Sequence, residues 1–593
     1  MNAPARWIFP PDFDSFGISY LADELALPRP VAEILWRRGY QDTEAARKFI
    51  NPTLDDLFDP FLLEDMHLAI ARIREAIANR EPIEIHGDYD VDGVTSTVIL
   101  LKALELAGSQ APTWRIPDRR DGYGMQADSM EDAAARGVKL IISVDNGIRA
   151  GEAVEKAEEL GLDVIVTDHH LPETDLPPAL AIINPNRLDC AYPNKDLCGA
   201  GVAFKLAHAL LSRCGWPDAK LRRIVESFLK LAAIGTVADI VPLTGENRII
   251  VKHGLEGLAD VRNPGLKAML KAAGFSNGRI PNATEVAFRI APAINASGRM
   301  ALASRAVEMF LTDDQALADE IAGELFALNA ERQTAERAIV KEIFEKCAAV
   351  PVTEDERALV FAAEGWHAGV VGIVASRVVE RFHRPAIVLS IENGIAKGSA
   401  RSIHQFHLLD ALESMGDLFT RFGGHAHAAG MTLPEANVEA LRERLHAYAY
   451  NVLQPEDLCG TVEIDAVVDF TELDDRLWAA LEKLAPFGMK NRRPLFAIRN
   501  AELNGPPQVW KEKHLRLAVR QSGRTLVMKA WGQADQAGEL SAMGNVDIAF
   551  EIGRDWNNNW DLIEKHCRPS VTPDSERPAL QSAPLPGRDS SAL

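Results

Sequence analysis

Ile-Glu-Ile-His-Gly-Asp-Tyr-Asp-Val-Asp-Gly, residues 83–93, is the stretch of this 593-residue chain that decides its fold. The apolar run at 83–85 is typical of a short buried strand. Three carboxylates follow it at alternate positions, Asp88, Asp90 and Asp92. Carboxylates packed this closely resist ionisation unless a cation neutralises them. The segment therefore predicts a strand that ends on an acidic metal site.

Three later segments carry further candidate ligands. They are Asp145 after the apolar run 138–144, Asp168, His169 and His170 after the run 162–167, and Asp239 after the apolar helical stretch 228–237. Helix-length patterns at 95–107 and 151–160 separate the strands, which predicts a doubly wound parallel sheet. Ligands of such sheets bind beyond the carboxyl ends of the strands. We therefore expect the four segments to converge on one site.

The candidate ligands are carboxylates and imidazoles, with no thiolate among them. Such a donor set favours Mn²⁺ or Mg²⁺ over structural zinc, and the number of ligands is sufficient for two ions. Two ions about 4 Å apart can activate water and stabilise both oxygens of a phosphoryl displacement. The alternative is that each Asp merely ends a strand, as Asp-Gly and Asn-Gly pairs often do. The occurrence of all four segments in this order along the chain favours the metal site over four separate strand ends.

Length and composition limit the class of protein. The chain is too long for a single core, and no run of about 20 apolar residues indicates a membrane span. No amino-terminal stretch resembles an export signal. The six cysteines lack Cys-x-x-Cys spacing, so neither a zinc finger nor a disulfide framework is indicated. We expect a cytoplasmic protein without membrane contact.

The net charge of −21 argues against a nucleic-acid partner, but one segment reverses it locally. Residues 483–529 contain eleven Lys or Arg and two acidic residues. Ring-bearing side chains are interleaved with the cations, among them Phe487, Trp510, His514 and Trp531. This mixture is typical of a groove that binds single strands by charge and stacking. The alternative is a solvated basic surface over aromatic residues of a core.

The patterns along the chain divide it into six predicted parts. These are a helical amino-terminal cap at 1–75, an α/β domain with a parallel sheet at 76–305, a long connecting helix at 306–350, a second α/β domain at 351–455, a β-barrel of the OB-fold type at 456–568 and a disordered tail at 569–593. The tail is rich in Pro and Ser, and it has too few apolar residues to order itself.

The Asp-His-His triplet and the acidic segments together resemble the DHH phosphoesterase superfamily, over residues 80–567. The resemblance implies that 76–305 is the catalytic DHH domain and that 351–455 is the DHH-associated, nucleic-acid-binding domain. It implies metal ligation by Asp88, Asp90, Asp92, Asp145, His169 and Asp239, and contact of His170 with the scissile phosphate. Asp145, His169 and His170 would thus be the catalytic residues.

Three further motifs are similar to one branch of the superfamily, the 5′ to 3′ exonucleases of single-stranded DNA. They are Ile-Asn-Ala-Ser-Gly-Arg at 294–299, Gly-Ser-Ala-Arg-Ser at 398–402 and the Gly-Gly-His turn at 423–430. The resemblance implies that Arg299, Ser399 and Arg401 hold the 5′ phosphate. Gly424 and His425 belong to a turn whose backbone N–H groups would cradle phosphate. Arg119 or Arg120 matches a further phosphate contact of the branch.

The same resemblance implies a role in DNA repair and recombination, in which the enzyme releases mononucleotides. It implies a monomer that acts with a single-strand-binding protein and a helicase. Two alternatives stay open. One is a phosphodiesterase of short oligonucleotides or cyclic dinucleotides, although such chains usually end before a segment like 460–567. The other is a non-catalytic DNA-binding scaffold of replication, which the full set of ligands disfavours.

Overall fold

The structure is a computed structural model that describes residues 5–10, 14–117, 124–276, 278–555 and 557–570. The chain forms two compact units. One contains residues 48–460 and 485–492, and the other contains 5–47, 461–484 and the chain from 493 onward. Arg119, Arg120 and residues 571–593 of the predicted tail lie outside the described residues.

The amino-terminal segment, predicted as a helical cap at 1–75, is mostly helical in the structure. Its elements are β1 (Arg6–Ile8), α1 (Ser15–Glu24), α2 (Arg29–Arg37), α3 (Thr43–Ile50) and α4 (Met66–Asn79). β1 is a parallel partner of Thr461–Glu463. The Trp7 indole is buried and donates a hydrogen bond to His566 Nδ1 (3.0 Å). These contacts with the far end of the chain place residues 5–47 in the second unit.

The predicted parallel sheet is present in the first unit. Its elements are β2 (Ile83–His86), α5 (Val91–Ala107), β3 (Thr113–Arg115), α6 (Ala127–Ala135), β4 (Leu140–Val144), α7 (Gly151–Glu159), β5 (Asp163–Thr167) and β6 (Ala181–Ile183). The strand order is β3-β2-β4-β5-β6, and all neighbours are parallel. Ile142 is aligned with Ile85 and with Ile165. This register brings the carboxyl ends of β2, β4 and β5 to one edge.

Helices complete this domain and lead out of it. They are α8 (Gly199–Ser212), α9 (Asp218–Ala238), α10 (Gly245–Gly257), α11 (Pro264–Ala272), α12 (Ala283–Glu285), α13 (Ala291–Met300), α14 (Ser304–Leu311) and α15 (Gln315–Ala349). α5 begins four residues before the predicted start at 95, because Asp90 caps it by accepting the N–H groups of Asp92 and Gly93. α15 is a single helix of 35 residues and corresponds to the expected connecting helix.

The second α/β domain follows α15 in the same unit. Its elements are β7 (Leu359–Glu364), α16 (Val371–Phe382), β8 (Ala386–Glu392), β9 (Ile395–Arg401), α17 (Leu408–Glu413), β10 (Arg421–Gly424), β11 (Ala428–Pro434) and α18 (Val438–Val452). The strand order is β10-β11-β9-β8-β7. β9 pairs antiparallel with β11, so that Ser399 lies opposite Gly430 and Arg401 lies opposite Ala428.

The predicted barrel forms the body of the second unit. Its elements are β12 (Thr461–Glu463), β13 (Ala466–Val467), α19 (Asp475–Glu482), β14 (Leu495–Leu503), β15 (Gln508–Trp510), β16 (His514–Gln521), β17 (Arg524–Ala530), α20 (Ala537–Ala542), β18 (Asn545–Arg554) and β19 (Trp560–Pro569). β14 pairs with both β18 and β16, which closes the sheet into a barrel of the OB type. Residues 485–492 belong instead to the first unit, where Leu243 N–H donates to Met489 O (2.9 Å).

Candidate metal centre and phosphate-binding site

The acidic and histidine segments converge at the carboxyl edge of the parallel sheet. Asp145 follows β4 directly, and His169 follows β5 after one residue. His169 Nε2 lies 3.2 Å from Asp145 Oδ1, 3.8 Å from Asp92 Oδ2 and 3.7 Å from Asp239 Oδ2. Asp239 reaches the site because it caps the carboxyl end of α9. The four segments therefore build one site.

Three sets of residues each offer candidate ligand atoms that lie within 4.8 Å of one another. They are Asp88, Asp90 and Asp145; Asp92, His169 and Asp239; and Asp145, His169 and His170. Every residue that the resemblance implies as a metal ligand occurs in at least one set. Asp145 and His169 each occur in two sets, so they connect the sets with each other.

Backbone N–H groups hold the Asp92 carboxylate in place. Gly199 N–H donates to Asp92 Oδ2 (2.6 Å) and Ala200 N–H donates to Oδ1 (2.8 Å). Both donors belong to the first turn of α8, a helix of 14 residues whose amino-terminal dipole favours a negative charge. Sequence reasoning missed this support, because backbone donors have no side chain that a motif could reveal.

The crowded carboxylates are electrostatically costly in the protein alone. Burial and the charges of Asp92, Asp90 and Asp88 raise the pKa of Asp145 well above its usual range. Burial and the charges of Asp92 and Asp90 raise the pKa of Asp239 to about 9. Burial lowers the pKa of His169, which favours the neutral, ligating imidazole. His169 Nε2 is buried and makes no hydrogen bond. This donor set fits divalent cations of the Mn²⁺ and Mg²⁺ type.

Asp168 positions His170. The Asp168 Oδ1 atom accepts hydrogen bonds from His170 Nδ1 (2.7 Å) and from His169 N–H (2.7 Å), and Oδ2 accepts one from Ile148 N–H (2.9 Å). Although burial opposes it, the Asp168 carboxylate raises the pKa of His170. The His170 ring is thus held through Nδ1, and it prefers the charged form.

His86, the last residue of β2, contacts a carboxylate of its own strand. Its Nε2 lies 2.8 Å from Glu84 Oε1, and Glu84 also accepts from Arg136. His86 belongs to none of the candidate ligand sets among the described residues. Its pairing with Glu84 inside the sheet explains why a buried histidine occurs at this position.

A second cluster, in the DHH-associated domain, has the chemistry of a phosphate site. Arg401 Nη1 donates to Ser399 Oγ (2.8 Å) on β9. A Cβ placed on Gly372, the second residue of α16, would lie 3.1 Å from Ser399 Oγ and 3.3 Å from Arg401 Nη2. The amino terminus of a 12-residue helix, a guanidinium and a hydroxyl therefore face one another, a combination suited to an anion. Gly372 was not among the predicted site residues.

The Gly-rich turn lies beside this cluster. A Cβ on Gly424 would lie 2.3 Å from Ala428 O, so the turn from β10 to β11 requires glycine there. Burial and the positive charges of His427 and Arg401 lower the pKa of His425. Arg299, on α13, donates from Nη1 to Gly369 O (3.1 Å), just before α16. The structure thus places Arg299, Gly424 and His425 near the elements that carry Ser399 and Arg401.

The barrel carries an exposed cluster of rings and cations. The ring centroids of Trp510 and His514 lie 5.3 and 4.7 Å from that of Trp531, which is 46% exposed. Lys511 Nζ lies 4.9 Å and Arg516 Cζ 4.8 Å from the Trp510 ring. Phe487 differs, because it is buried and belongs to the first unit.

Replacing Gly199 with Ala is expected to impair the metal centre without weakening the helix. The new Cβ would lie 2.6 Å from Asp145 Cβ and Oδ1, so the carboxylate must move. Because a displacement of about 1 Å can cost 10²-fold in rate, we expect a fall of roughly that size in kcat. Gly151→Ala is the matched control, since Gly151 also begins a helix and its Cβ would meet no atom within 4 Å. Equal activity of Gly199→Ala and Gly151→Ala would contradict the expectation that the added Cβ displaces the Asp145 carboxylate.

Three stretches of the chain match known domain families. Residues 82–236 match the DHH family, N-terminal domain, residues 355–451 match the DHHA1 domain, and residues 464–562 match the RecJ OB domain. The fold and the donor set therefore define a phosphoesterase of the DHH class.

Relatives that align over most of the chain identify the family. The chain is 41% identical over 559 residues to the single-stranded-DNA-specific exonuclease RecJ of Bacillus subtilis (strain 168), covering 93% of this chain and 69% of that protein. The chain belongs to the RecJ family. It superposes with a TM-score of 0.81 on the crystal structure of RecJ in complex with Mn²⁺ from Thermus thermophilus, at 32% identity, over 96% of this chain and 80% of that one. The Mg²⁺ complex from the same organism gives 0.76 at 30% identity, over 96% and 79%.

These similarities confirm the predicted fold class, with its parallel-sheet DHH domain, long helix, DHH-associated domain and OB-fold barrel. Within the part of the chain that the structure describes, no helix combines the length and the apolar character needed to cross a bilayer.

Proposed function

We propose that this protein is a metal-dependent exonuclease that degrades single-stranded DNA from the 5′ end to mononucleotides. The observation that carries the proposal is that a carboxylate and imidazole cluster and the group of Arg401 and Ser399 beside the amino terminus of α16 occur in one compact unit of a RecJ-family chain. The named relatives are exonucleases of single-stranded DNA, and the same substrate suits the exposed rings and cations of the barrel.

In the proposed centre, Asp88, Asp90 and Asp145 would hold one ion, and Asp92, His169 and Asp239 a second. Bound Mn²⁺ or Mg²⁺ supplies Lewis-acid activation of water and neutralises phosphoryl charge. Asp145, whose Oδ1 lies 3.2 Å from His169 Nε2, is the best placed to join the two ligand sets.

The protein's own residues then orient the scissile phosphodiester. His170, fixed by its hydrogen bond to Asp168, offers Nε2 to a non-bridging oxygen of that phosphate. The α8 amino terminus keeps Asp92 in place while charge develops at the reacting group. Preorganised donors of this kind stabilise a transition state because they need not reorient during the reaction.

Direction of digestion follows from the phosphate site. Arg299, Ser399 and Arg401, with the turn of Gly424 and His425, would hold the terminal 5′ phosphate, so that the next phosphodiester meets the metal centre. A guanidinium and helix N–H groups suit the two negative charges of a terminal phosphate better than the single charge of an internal one. The barrel would bind single-stranded DNA through Trp510, His514 and Trp531.

We further propose that the protein acts as a monomer in the cytoplasm during DNA repair and recombination. A helicase would supply the single strand, and a single-strand-binding protein would present it. These proposals rest on the family resemblance alone.

Digestion of a single strand labelled at either end tests the proposal. With Mn²⁺ present, a 5′ label should be released as a mononucleotide before any 3′ label, while a blunt duplex should resist. A dinucleotide should turn over more slowly than the long strand, because it offers fewer bases to stack on the rings of the barrel. Earlier release of the 3′ label would refute the polarity, and faster dinucleotide turnover would favour the short-substrate alternative.

A further inference from the structure

Ile240 combines two unfavourable features. Its backbone has a φ of +60°, and its side chain is 70% exposed. A β-branched residue rarely adopts the left-handed region, because its side chain collides with the backbone there. The isoleucine also gains nothing from burial. Neither the local backbone nor the core accounts for its presence.

The position of Ile240 is one at which glycine is usual. Asp239 caps the carboxyl end of α9, so that Ile240 is the first residue beyond the cap. Helices commonly end on a left-handed glycine at this position. Asparagine is the other residue that adopts the conformation readily. An isoleucine here indicates a requirement for the side chain itself.

The flanking residues prevent the loop from relaxing. Asp239 N–H donates to Gly235 O (2.9 Å) on one side. On the other side, Pro242 O accepts from Asn247 Nδ2 (3.1 Å), and the buried Leu243 donates its N–H to Met489 O (2.9 Å). The backbone that carries the exposed side chain of Ile240 is therefore held in place on both sides.

That place is the edge of the metal centre. Ile240 is bonded directly to Asp239, whose Oδ2 lies 3.7 Å from His169 Nε2. The side chains that form the centre are carboxylates and imidazoles, which give a polyanion no apolar contact. Backbone strain of this kind is concentrated at functional sites.

We propose that Ile240 packs against the face of a nucleobase next to the scissile phosphodiester and so positions the strand end. This inference rests on the proposed exonuclease function. The base face is the largest apolar surface that a single strand offers. In a duplex the same face is stacked on its neighbours, and exposing it costs unstacking energy. The contact would therefore add to the preference for single strands.

The test compares Ile240→Gly with the wild type on 5′-phosphorylated strands. Glycine removes the side chain and relieves the backbone strain, so the melting temperature should stay the same or rise. Loss of the aliphatic contact with the base should lower kcat/KM on a normal strand about tenfold. A series of strands with one abasic site at the first, second or third nucleotide then locates the contact. On the strand that lacks the base contacted by Ile240, the variant and the wild type should have the same kcat/KM.

Asn393→Gly is the matched control for strain relief. Asn393 has a φ of +52° in the exposed turn between β8 and β9, and its replacement should leave kcat/KM unchanged. The rise in melting temperature caused by Mn²⁺ should be the same in Ile240→Gly and the wild type, because Asp239 stays in place.

Three results would overturn the inference. The first is that Ile240→Gly has the same kcat/KM as the wild type. The second is that its kcat/KM falls by the same factor on the normal strand and on every abasic strand. The third is that Mn²⁺ no longer raises its melting temperature, which would trace the defect to Asp239. A wild-type protein that does not digest single strands at all would instead refute the proposed function.

Discussion

Replacing Asp145 with Asn is expected to abolish nuclease activity, with kcat lowered by about 10³-fold or more, as when a group that stabilises transition-state charge is removed. Asp145 occurs in two of the three candidate ligand sets, and the ion that it would hold with Asp88 and Asp90 would lose a ligand. Binding of a single strand should persist, since the phosphate site and the barrel are unchanged. Rate measurements with Mn²⁺ and binding measurements without turnover separate the two effects.

In the absence of metal, Asp145→Asn should stabilise the protein, although it abolishes the activity. Burial and neighbouring carboxylates raise the pKa of Asp145 in the folded state. A raised carboxyl pKa stabilises the fold only below the unfolded value of about 4 and costs stability as the pH rises through the folded value. Metal-free Asp145→Asn should therefore melt higher than metal-free wild type, increasingly so from pH 4 upward. Added Mn²⁺ should reverse the order.

Asp132→Asn is the control for this experiment. Asp132 lies on α6 and pairs with Arg115 (2.9 Å) at the surface, and an exposed ion pair contributes little to stability. Its replacement should change neither the activity nor the Mn²⁺ shift. An Asp145→Asn protein that kept the full Mn²⁺ shift would contradict the assignment of Asp145 as a ligand.

The convergence of the candidate ligands could be predicted from the sequence because most of them lie at or just beyond the end of an element that periodicity identifies. Asp145 and the Asp-His-His triplet follow continuous apolar runs, which are typical of parallel strands buried on both faces. In a parallel sheet those ends meet at one edge, whatever the details of packing. The position of Asp239 could be predicted because an apolar helical pattern ends just before it, and α9 does end at Ala238.

The supports of the site could not be predicted in this way. The N–H groups of Gly199 and Ala200 hold Asp92 through the backbone, and backbone donors are common to all residues except proline. Residues 5–47 look like a local helical cap, yet β1 pairs with β12 at the opposite end of the chain. Such pairings depend on tertiary packing, which local patterns do not encode. The strain at Ile240 is likewise a property of the folded backbone.

Replacing Arg401 with Ala is expected to remove the preference for a 5′-phosphorylated end. Arg401 and Ser399 lie on β9 beside the amino terminus of α16, where a guanidinium can form two charge-assisted hydrogen bonds with a terminal phosphate. Such bonds contribute about 1.5–3 kcal/mol each, so the loss of even one should lower kcat/KM on a phosphorylated strand roughly 10- to 100-fold. A strand with a 5′ hydroxyl lacks the bound group, and the rate on it should change little.

Two further variants make this result specific. Arg401→Lys keeps the charge but loses the planar fork, so it should retain part of the preference. Arg444→Ala is the control, because Arg444 pairs with Asp417 (2.8 Å) on the surface of the same domain. If Arg401→Ala slowed both kinds of strand end by the same factor, Arg401 would support the fold of β9 and would not hold the terminal phosphate. The assignment of 5′ polarity to this cluster would then fail, while the metal centre would stand.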